Sequence, residues 1–182
     1  WGGSSCIGGA HDTDEGLTAF GRSVVEECFR LGIVPDISHG SDAAMNETIA
    51  MAEAAGKPVI ATHSNARAVR DHRRNLTDEQ LKALANKGGI VGVNFENSFL
   101  RKGSETTDVT DIIWHMKHMA NVGGIDMVAL GSDFDGIGDN LNFRDFAGLP
   151  QLVDAIEKEF GAAACDKICH GNALRLFKEV IG

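Results

Sequence analysis

The chain of 182 residues has no tyrosine, only three prolines and only four cysteines. The cysteines Cys6, Cys28, Cys165 and Cys169 are scattered, which argues against the disulfide framework of a small secreted domain. Such cysteine usage suits a reducing compartment, and the cytoplasm is the location we expect. No apolar run approaches the roughly 20 residues of a membrane-spanning helix, and no secretory signal opens the chain.

Stretches of positive charge interleaved with aromatic residues are also missing. Lys and Arg number 17 against 26 Asp and Glu, and the formal net charge is -9. Nucleic-acid surfaces are typically basic, so we expect no nucleic-acid partner. A glycine-rich phosphate turn is absent after the first predicted strand, where His39-Gly40-Ser41 stands instead. This disfavours an open, nucleotide-binding sheet.

The sequence does contain four short apolar runs with strand character, at 33–39, 58–63, 90–95 and 127–130. Continuous apolar runs are typical of parallel strands that are buried on both faces. Helix-like segments separate the runs, as parallel connections require. One departure is Pro35, which removes a ladder donor, so the first strand is expected to start late or to carry a bulge.

Capping residues mark the predicted helices. Thr18 caps the first and Gly32 ends it, Ser41 caps the second, and Thr77 to Gln80 form a capping box for the third. Apolar spacing predicts that the first helix faces the core with Leu17, Phe20, Val24, Cys28 and Leu31. Further helices are predicted around 112–119, 153–156 and 174–177.

The fold class is therefore α/β, and we predict a TIM-barrel-type (β/α)8 architecture with residues 1–182 as a single segment. An eight-stranded barrel normally needs about 250 residues, so four units form roughly half of one.

Polar side chains follow three of the predicted strands. His39 and His63 end the first two, and Asp133 follows the last. Strand ends carry the active site in barrels, and two neutral imidazoles from adjacent strands are suited to hold a zinc ion. Structural alternatives remain: either histidine could be a satisfied buried side chain, and Asp133 could cap a turn. Asp36 could orient a histidine or be a tolerated charge in the barrel wall.

Other metal-capable residues have packing as the favoured interpretation. Cys165, Cys169 and His170 could form a helical metal patch, but no further ligand lies nearby in sequence. His115 and His118 are predicted to serve helix surface and packing. Arg74 belongs to a basic stretch, 67–74, that by itself indicates a solvated loop.

Seven motifs resemble, in order along nearly the whole chain, the membrane (renal) dipeptidase family of zinc peptidases. They are Gly16-Leu17-Thr18-Ala19-Phe20-Gly21, Asp36-Ile37-Ser38-His39, Thr62-His63-Ser64, Arg73-Arg74-Asn75-Leu76, Val93-Asn94-Phe95, Gly131-Ser132-Asp133-Phe134-Asp135-Gly136 and Gly171-Asn172-Ala173-Leu174-Arg175. The resemblance implies a barrel hydrolase with two Zn2+ ions that cleaves dipeptides through a metal-activated water. Some members accept a D-residue on the C-terminal side.

The resemblance also implies residue roles. His39 and His63 match two metal ligands, Arg74 the substrate-gripping arginine, and Asp133 the acid/base aspartate. Phe99 stands where the family often has a tyrosine near the substrate. The family's other metal ligands, and a further substrate-contacting histidine, belong to an earlier half, so the chain corresponds to roughly the last four β/α units. His11, in a Gly/Asp-rich loop, is therefore given no role.

Several functions follow as alternatives. The first is the C-terminal half of a zinc dipeptidase that associates with its N-terminal half. The second is a homo-oligomer in which two half-barrels close one barrel. The third is a non-catalytic remnant that binds at most one metal ion, and another amidohydrolase-type activity on small amides also stays open. Because a half-barrel exposes two sheet edges, we expect the isolated chain to self-associate.

Overall fold

The computed structural model describes residues 2–103, 106–138 and 145–182. Its helices and strands are, in chain order, α1 (Ala19–Leu31), α2 (Asp42–Ala55), α3 (Asp78–Asn86), β1 (Val91–Val93), α4 (Asn97–Leu100), α5 (Val109–Gly123), β2 (Val128–Leu130), α6 (Leu149–Phe160), α7 (Ala162–Asp166) and α8 (Asn172–Ile181). A π-helical turn, Lys167–Gly171, joins α7 to α8. Within these described ranges, no helix is long and apolar enough to cross a membrane.

Four extended segments lie side by side in chain order, all parallel. Asp36 pairs with Ile60, and Ala61 pairs with Val91. β1 and β2 then pair over three residues, with Gly92 opposite Ala129. The predicted alternation of parallel segments and helices is confirmed as a mixed α/β fold. Parallel segments that end at one edge bring their following residues together.

The first predicted strand, 33–39, is reduced to a single bridge at Asp36. The Ile60 N–H donates to the Pro35 carbonyl at 3.1 Å, and the Ile37 N–H donates to the Ile60 carbonyl at 2.9 Å. Pro35 has no N–H to continue this ladder toward its N-terminal side. The late start expected from Pro35 is therefore what the structure has.

The predicted caps are confirmed. The Thr18, Ser41 and Thr77 side chains accept from backbone N–H groups of α1, α2 and α3, respectively. Thr77 also forms the predicted capping box with Gln80. Gly32 ends α1 with a φ of 71°, a left-handed conformation in which glycine carries no steric penalty.

The predicted buried face of α1 is wrong by one position. Gly21, Val25 and Phe29 face the core, whereas Phe20 is 59% exposed and Leu31 is 55% exposed. A Cβ at Gly21 would collide with the Ile7 carbonyl, so the missing side chain sets how the helix lies against the preceding loop. Cys28, predicted in the core, is correspondingly only half-buried.

The core lies between the parallel segments and their helices. Val91, Val93 and Val128 are buried there. The helices contribute large apolar side chains, among them Ile112, Met116 and Met119 from α5 and Leu152 and Ile156 from α6. Gly92 in β1 and Gly131 just after β2 let the backbones approach closely, because a Cβ at either would collide with the Thr62 carbonyl.

The last helix is anchored beneath the start of β1 and β2. The Arg175 guanidinium Nη2 donates to the Gly88 carbonyl at 3.0 Å and to the Asp126 carbonyl at 3.2 Å. Asn172 Nδ2 donates to the Val128 carbonyl at 2.8 Å. These bonds satisfy carbonyls at the edge opposite the one where the candidate site lies.

Candidate functional site

Two imidazoles meet at the carboxyl ends of the first two parallel segments. His39 Nε2 and His63 Nε2 are 2.8 Å apart. The ring centroids are 4.9 Å apart, with an interplanar angle of 57°. The juxtaposition follows from the Asp36–Ile60 pairing, because each histidine lies three residues beyond its paired residue. The structure thus brings together the two residues that the sequence placed at neighbouring strand ends.

A hydroxyl sets the tautomer of His63. Thr62 Oγ1 lies 2.5 Å from Asp36 Oδ2 and 2.7 Å from His63 Nδ1. An ionised carboxylate only accepts, so the single hydroxyl proton of Thr62 points to Asp36. The same oxygen must therefore accept from His63 Nδ1–H. This leaves a lone pair on His63 Nε2, the form in which imidazole binds metal.

Asp36 is ionised in this arrangement. Burial raises its pKa, but hydrogen bonds from Thr62 and Ser38 outweigh burial, so the net pKa is lowered. Both the backbone N–H and the hydroxyl of each of these residues donate to the carboxylate. Of the two alternatives for Asp36, the contacts favour orientation of His63 through Thr62.

His39 is neutral near pH 7. Burial, followed by the positive charge of Arg74 and by His63, lowers its pKa to about 4. A neutral ring can offer a lone pair to a metal ion. The two imidazoles therefore fit two ligand positions of a zinc ion.

Arg74 is buried beside the imidazole pair, with 2% of the residue exposed. Its Nη2 donates to the His63 carbonyl at 3.3 Å and lies 3.4 Å from His39 Nε2. The Phe99 ring centroid is 5.3 Å from the guanidinium carbon. Burial lowers the pKa of Arg74 to about 10, opposed by Asp133 and Asp36, so the guanidinium stays protonated. Arg73, its neighbour in sequence, is instead exposed and pairs with Asp14 at 2.8 Å.

Asp133 follows β2 in a left-handed conformation, with a φ of 71°. Among the described residues it is the only non-glycine residue with a positive φ. Asn94 Nδ2 donates to Asp133 Oδ2 at 3.0 Å. Asn94 is in turn held by Asn65, which bonds both its backbone N–H and its carbonyl. Sparsely populated backbone conformations concentrate at functional sites, where the surroundings hold them in place.

Three residues at this site were not assigned from the sequence. Thr62 and Asn94 lie inside the quoted motifs, but their contacts depend on register between segments. His11 was given no role, yet its ring centroid is 6.2 Å from that of His39. The local sequence carried no signal for this, because the contact arises where the loop folds back onto Gly40.

The other metal-capable residues singled out from the sequence lie outside the site, where they pack or pair with a local partner. Cys165 is buried, and its Sγ is 3.8 Å from that of Cys169. His170 lies beside Asp166 at 3.5 Å, on the surface. His118 pairs with Asp78 at 2.7 Å.

Of the two roles predicted for His115, packing is confirmed and a surface position is wrong, because this side chain is fully buried. Its Nδ1 accepts from the Ala66 N–H, and its Nε2 bonds the Leu100 carbonyl. Within the described part of the chain, no group of three or more His, Cys, Asp or Glu side chains is arranged to hold a metal ion.

Comparisons with known proteins match this chain to one family. The family model described as membrane dipeptidase (peptidase family M19) matches residues 2–181. An uncharacterised protein in the pqqA 5′ region of Klebsiella pneumoniae is 42% identical over 176 residues, which cover 94% of this chain and 64% of that protein. Dipeptidase 3 of Rattus norvegicus is 35% identical over 167 residues, covering 91% of this chain and 33% of that protein. The chain spans less than two thirds of the length of either relative.

A solved structure gives a similar match. The metallo peptidase of Rhodobacter sphaeroides, liganded with a phosphinate mimic of the dipeptide L-Ala-D-Ala, has a TM-score of 0.86 and 38% sequence identity. The match covers 94% of this chain and 49% of that one.

Proposed function

Because the chain belongs to the membrane dipeptidase family (peptidase family M19), we propose that it supplies the C-terminal half of a zinc-dependent dipeptidase. Its parallel segments would then be the last four strands of an eight-stranded barrel. The observation that carries the proposal is the convergence of His39 Nε2 and His63 Nε2, 2.8 Å apart, beside the Arg74 guanidinium. Barrel enzymes place their chemistry at this end of the strands.

His39 and His63 would hold zinc, and the Thr62 hydroxyl keeps His63 in the tautomer that such binding requires. When bound, zinc polarises a carbonyl and lowers the pKa of water, and two ions are the set that the family implies. The remaining ligands would come from outside these 182 residues, either from an N-terminal half or from a second copy. The free cysteines support a reducing compartment, such as the cytoplasm, as the location.

Asp133 would move the proton. Its Oδ2 is held by Asn94, so the carboxylate has a fixed orientation at the end of β2. In this role Asp133 accepts a proton from the attacking water and passes it to the leaving amine. Arg74 would bind the terminal carboxylate of the substrate, for which a planar guanidinium is well suited. The substrate would accordingly be a short peptide, and the phosphinate ligand of the Rhodobacter relative supports L-Ala-D-Ala as one to test.

The test is hydrolysis of L-Ala-L-Ala and L-Ala-D-Ala by the zinc-loaded protein in the assembly that would supply the remaining ligands, either with an N-terminal half or as a homo-oligomer, with zinc content measured in parallel. We expect Asp133→Asn to bind zinc normally and to lose about 10²- to 10⁴-fold in kcat, the usual contribution of a positioned acid/base group. Asn tolerates the left-handed backbone, so the fold should persist. Turnover that is unchanged in this variant would remove the proposed role of Asp133.

The alternative is a non-catalytic half-barrel that binds at most one metal ion. It is favoured by the absence, within the described ranges, of three or more clustered metal ligands. Zinc bound at one ion or fewer per chain in that assembly, together with an untouched dipeptide panel, would establish this alternative. Turnover of small amides but not of dipeptides would instead indicate another amidohydrolase-type activity.

A further inference from the structure

The N-terminal loop, residues 9–15, is fastened to the segment that follows His39. The His11 N–H donates to the His39 carbonyl at 2.9 Å, and the Ser41 N–H donates to the Gly9 carbonyl at 2.9 Å. Ala10 forms an antiparallel bridge with Gly40. These are backbone bonds, so the position of the loop at the rim of the site does not depend on the His11 ring.

The His11 ring itself reaches the site. It lies edge-on to His39 at 67°, with the ring centroids 6.2 Å apart. Arg74 approaches the same His39 ring, with its Nη2 3.4 Å from His39 Nε2. The Nδ1 atom of His11 is buried and has no hydrogen-bond partner among the residues that the structure describes. A neutral imidazole can present an N–H at this atom.

Arg74 contributes a second orphaned atom. Its Nη2 bonds the His63 carbonyl, whereas Nη1 is buried with no partner in the described ranges. Unpaired buried donors destabilise a folded protein, and charged ones do so more strongly, so natural sites pair them with water or a ligand. Phe99 covers the guanidinium with an apolar ring that offers no oxygen or nitrogen acceptor for Nη1.

We infer that His11 and Arg74 together form a carboxylate-binding subsite beside the His39–His63 pair. Arg74 Nη1 donates to one oxygen of the dipeptide's terminal carboxylate, and His11 Nδ1–H donates to the other. The choice of an anion follows from the buried positive charge, because charge-assisted bonds to a carboxylate are the strongest pairing for these donors. The inference rests on the proposed function for its substrate, and it makes His11 a specificity-determining residue.

The first experiment measures binding. Zinc-loaded protein with 13C-labelled histidines is titrated, by NMR, with Ala-Ala and with alanyl-alaninamide, which lacks the carboxylate. We expect the His11 ring signal to shift saturably with Ala-Ala only. His11→Ala should weaken Ala-Ala binding roughly tenfold, as loss of a charged hydrogen bond does, and leave binding of the amide unchanged. Equal weakening of both ligands, or of neither, would overturn the inference.

Variants separate this role from others. His11→Asn places a side-chain N–H near the position of Nδ1 and should restore most of the affinity for Ala-Ala. His118→Ala removes a histidine that pairs with Asp78 outside the site and should leave the affinity for both ligands unchanged. Zinc affinity is measured for each variant, because a loss of zinc in His11→Ala would make His11 a metal ligand and overturn the inference. Circular dichroism confirms that each variant is folded.

The outcomes also distinguish this inference from the proposed function. Carboxylate-dependent binding through His11 without hydrolysis would sustain the inference and remove the peptidase activity. Hydrolysis with unchanged kinetics in His11→Ala would sustain the peptidase activity and overturn the inference. When both hold, His11→Ala raises KM for Ala-Ala about tenfold with little change in kcat, since it removes binding shared by ground and transition states. If Ala-Ala is neither bound nor hydrolysed, both the inference and the proposed function are overturned.

Discussion

At the scale of single residues, the Thr62 hydroxyl links the Asp36 carboxylate to the His63 ring. One hydroxyl proton, committed to Asp36, determines which nitrogen of His63 carries hydrogen. A partner behind a metal-binding histidine fixes both its tautomer and its orientation. The free energy that holds this arrangement is shared among the four bonds to the Asp36 carboxylate.

Thr62→Val keeps the shape of the side chain and removes the hydroxyl. We expect zinc affinity to fall by about 10- to 100-fold, the usual effect of losing such a partner. Competition with a chromophoric chelator measures the affinity, and 15N NMR of His63 should report a mixture of tautomers. Thr62→Ser, which keeps the hydroxyl, is the matched control. An unchanged tautomer in Thr62→Val would contradict this account.

His115 gives the molecule a pH-dependent stability. Its Nδ1 accepts from the Ala66 N–H and its Nε2 donates to the Leu100 carbonyl, a pattern that only the neutral ring can make. Burial lowers its pKa from 6.5 to about 4. Because the folded state disfavours the protonated form, the stabilisation is complete above pH 6.5 and declines as the pH falls toward 4.

The decline should reach about 3 kcal/mol of unfolding free energy at pH 4, given about 1.36 kcal/mol per pKa unit. Urea unfolding at about pH 7, 5.5 and 4 measures it. His115→Gln can make both hydrogen bonds without titrating, so its unfolding free energy should vary less over this range. His118→Gln, on the same helix, should behave as the wild type does. A wild-type protein equally stable at neutral and at acidic pH would contradict the lowered pKa of His115.

The sequence predicted candidate site residues only where their position along the chain was itself informative. His39, His63 and Asp133 follow apolar runs, and strand ends of a parallel fold meet at one edge. Choosing Arg74 over Arg73 required the family resemblance, because both stand in one basic stretch. The contact of His11 with His39 comes from a loop that folds back, and no local pattern encodes such a path.

At the scale of elements, two glycines determine how closely the parallel segments approach. Gly92 in β1 and Gly131 after β2 both lie against the Thr62 carbonyl, with no room for a Cβ. The helices were predictable from caps and spacing, whereas the strands proved much shorter than their apolar runs. Regular backbone pairing depends on the neighbouring strands of the sheet, so the length of an apolar run in the sequence says little about where a strand ends.

Gly92→Ala should therefore destabilise the protein by about 2–4 kcal/mol, because the new Cβ meets backbone that cannot move aside without breaking the ladder. Thermal unfolding measures the loss. Gly171→Ala is the control with the much smaller clash, since the nearest atom to its added Cβ is 3.3 Å away and its backbone is helical, whereas a Cβ on Gly92 would collide with the Thr62 carbonyl. Equal melting temperatures for Gly92→Ala and the wild type would show that the segments can separate.

At the scale of the whole molecule, large apolar side chains remain on the surface. They include Phe20, Leu31 and Ile33 near α1, and Leu174, Phe177 and Ile181 on α8. The three on α8 follow helical spacing, so they occupy one face. Exposed apolar faces of this kind mark contact surfaces, which the half-barrel proposed above would require.

We expect the protein alone to self-associate at tens of micromolar, as judged by sedimentation velocity. Phe177→Glu combined with Ile181→Glu should weaken this association by tenfold or more, because it places charge on the apolar face of α8. Lys178→Ala on the same helix should leave the association unchanged. A wild-type protein that sediments as a monomer throughout would contradict the expectation of an open edge.

Arg175 joins two places that are distant in sequence, since one guanidinium bonds the carbonyls of Gly88 and Asp126. The turns that lead into β1 and β2 consequently share a single fastening. A fluctuation that lifts the C-terminal helix loosens the two turns at once, and the paired amides between them would exchange with solvent as one cooperative unit.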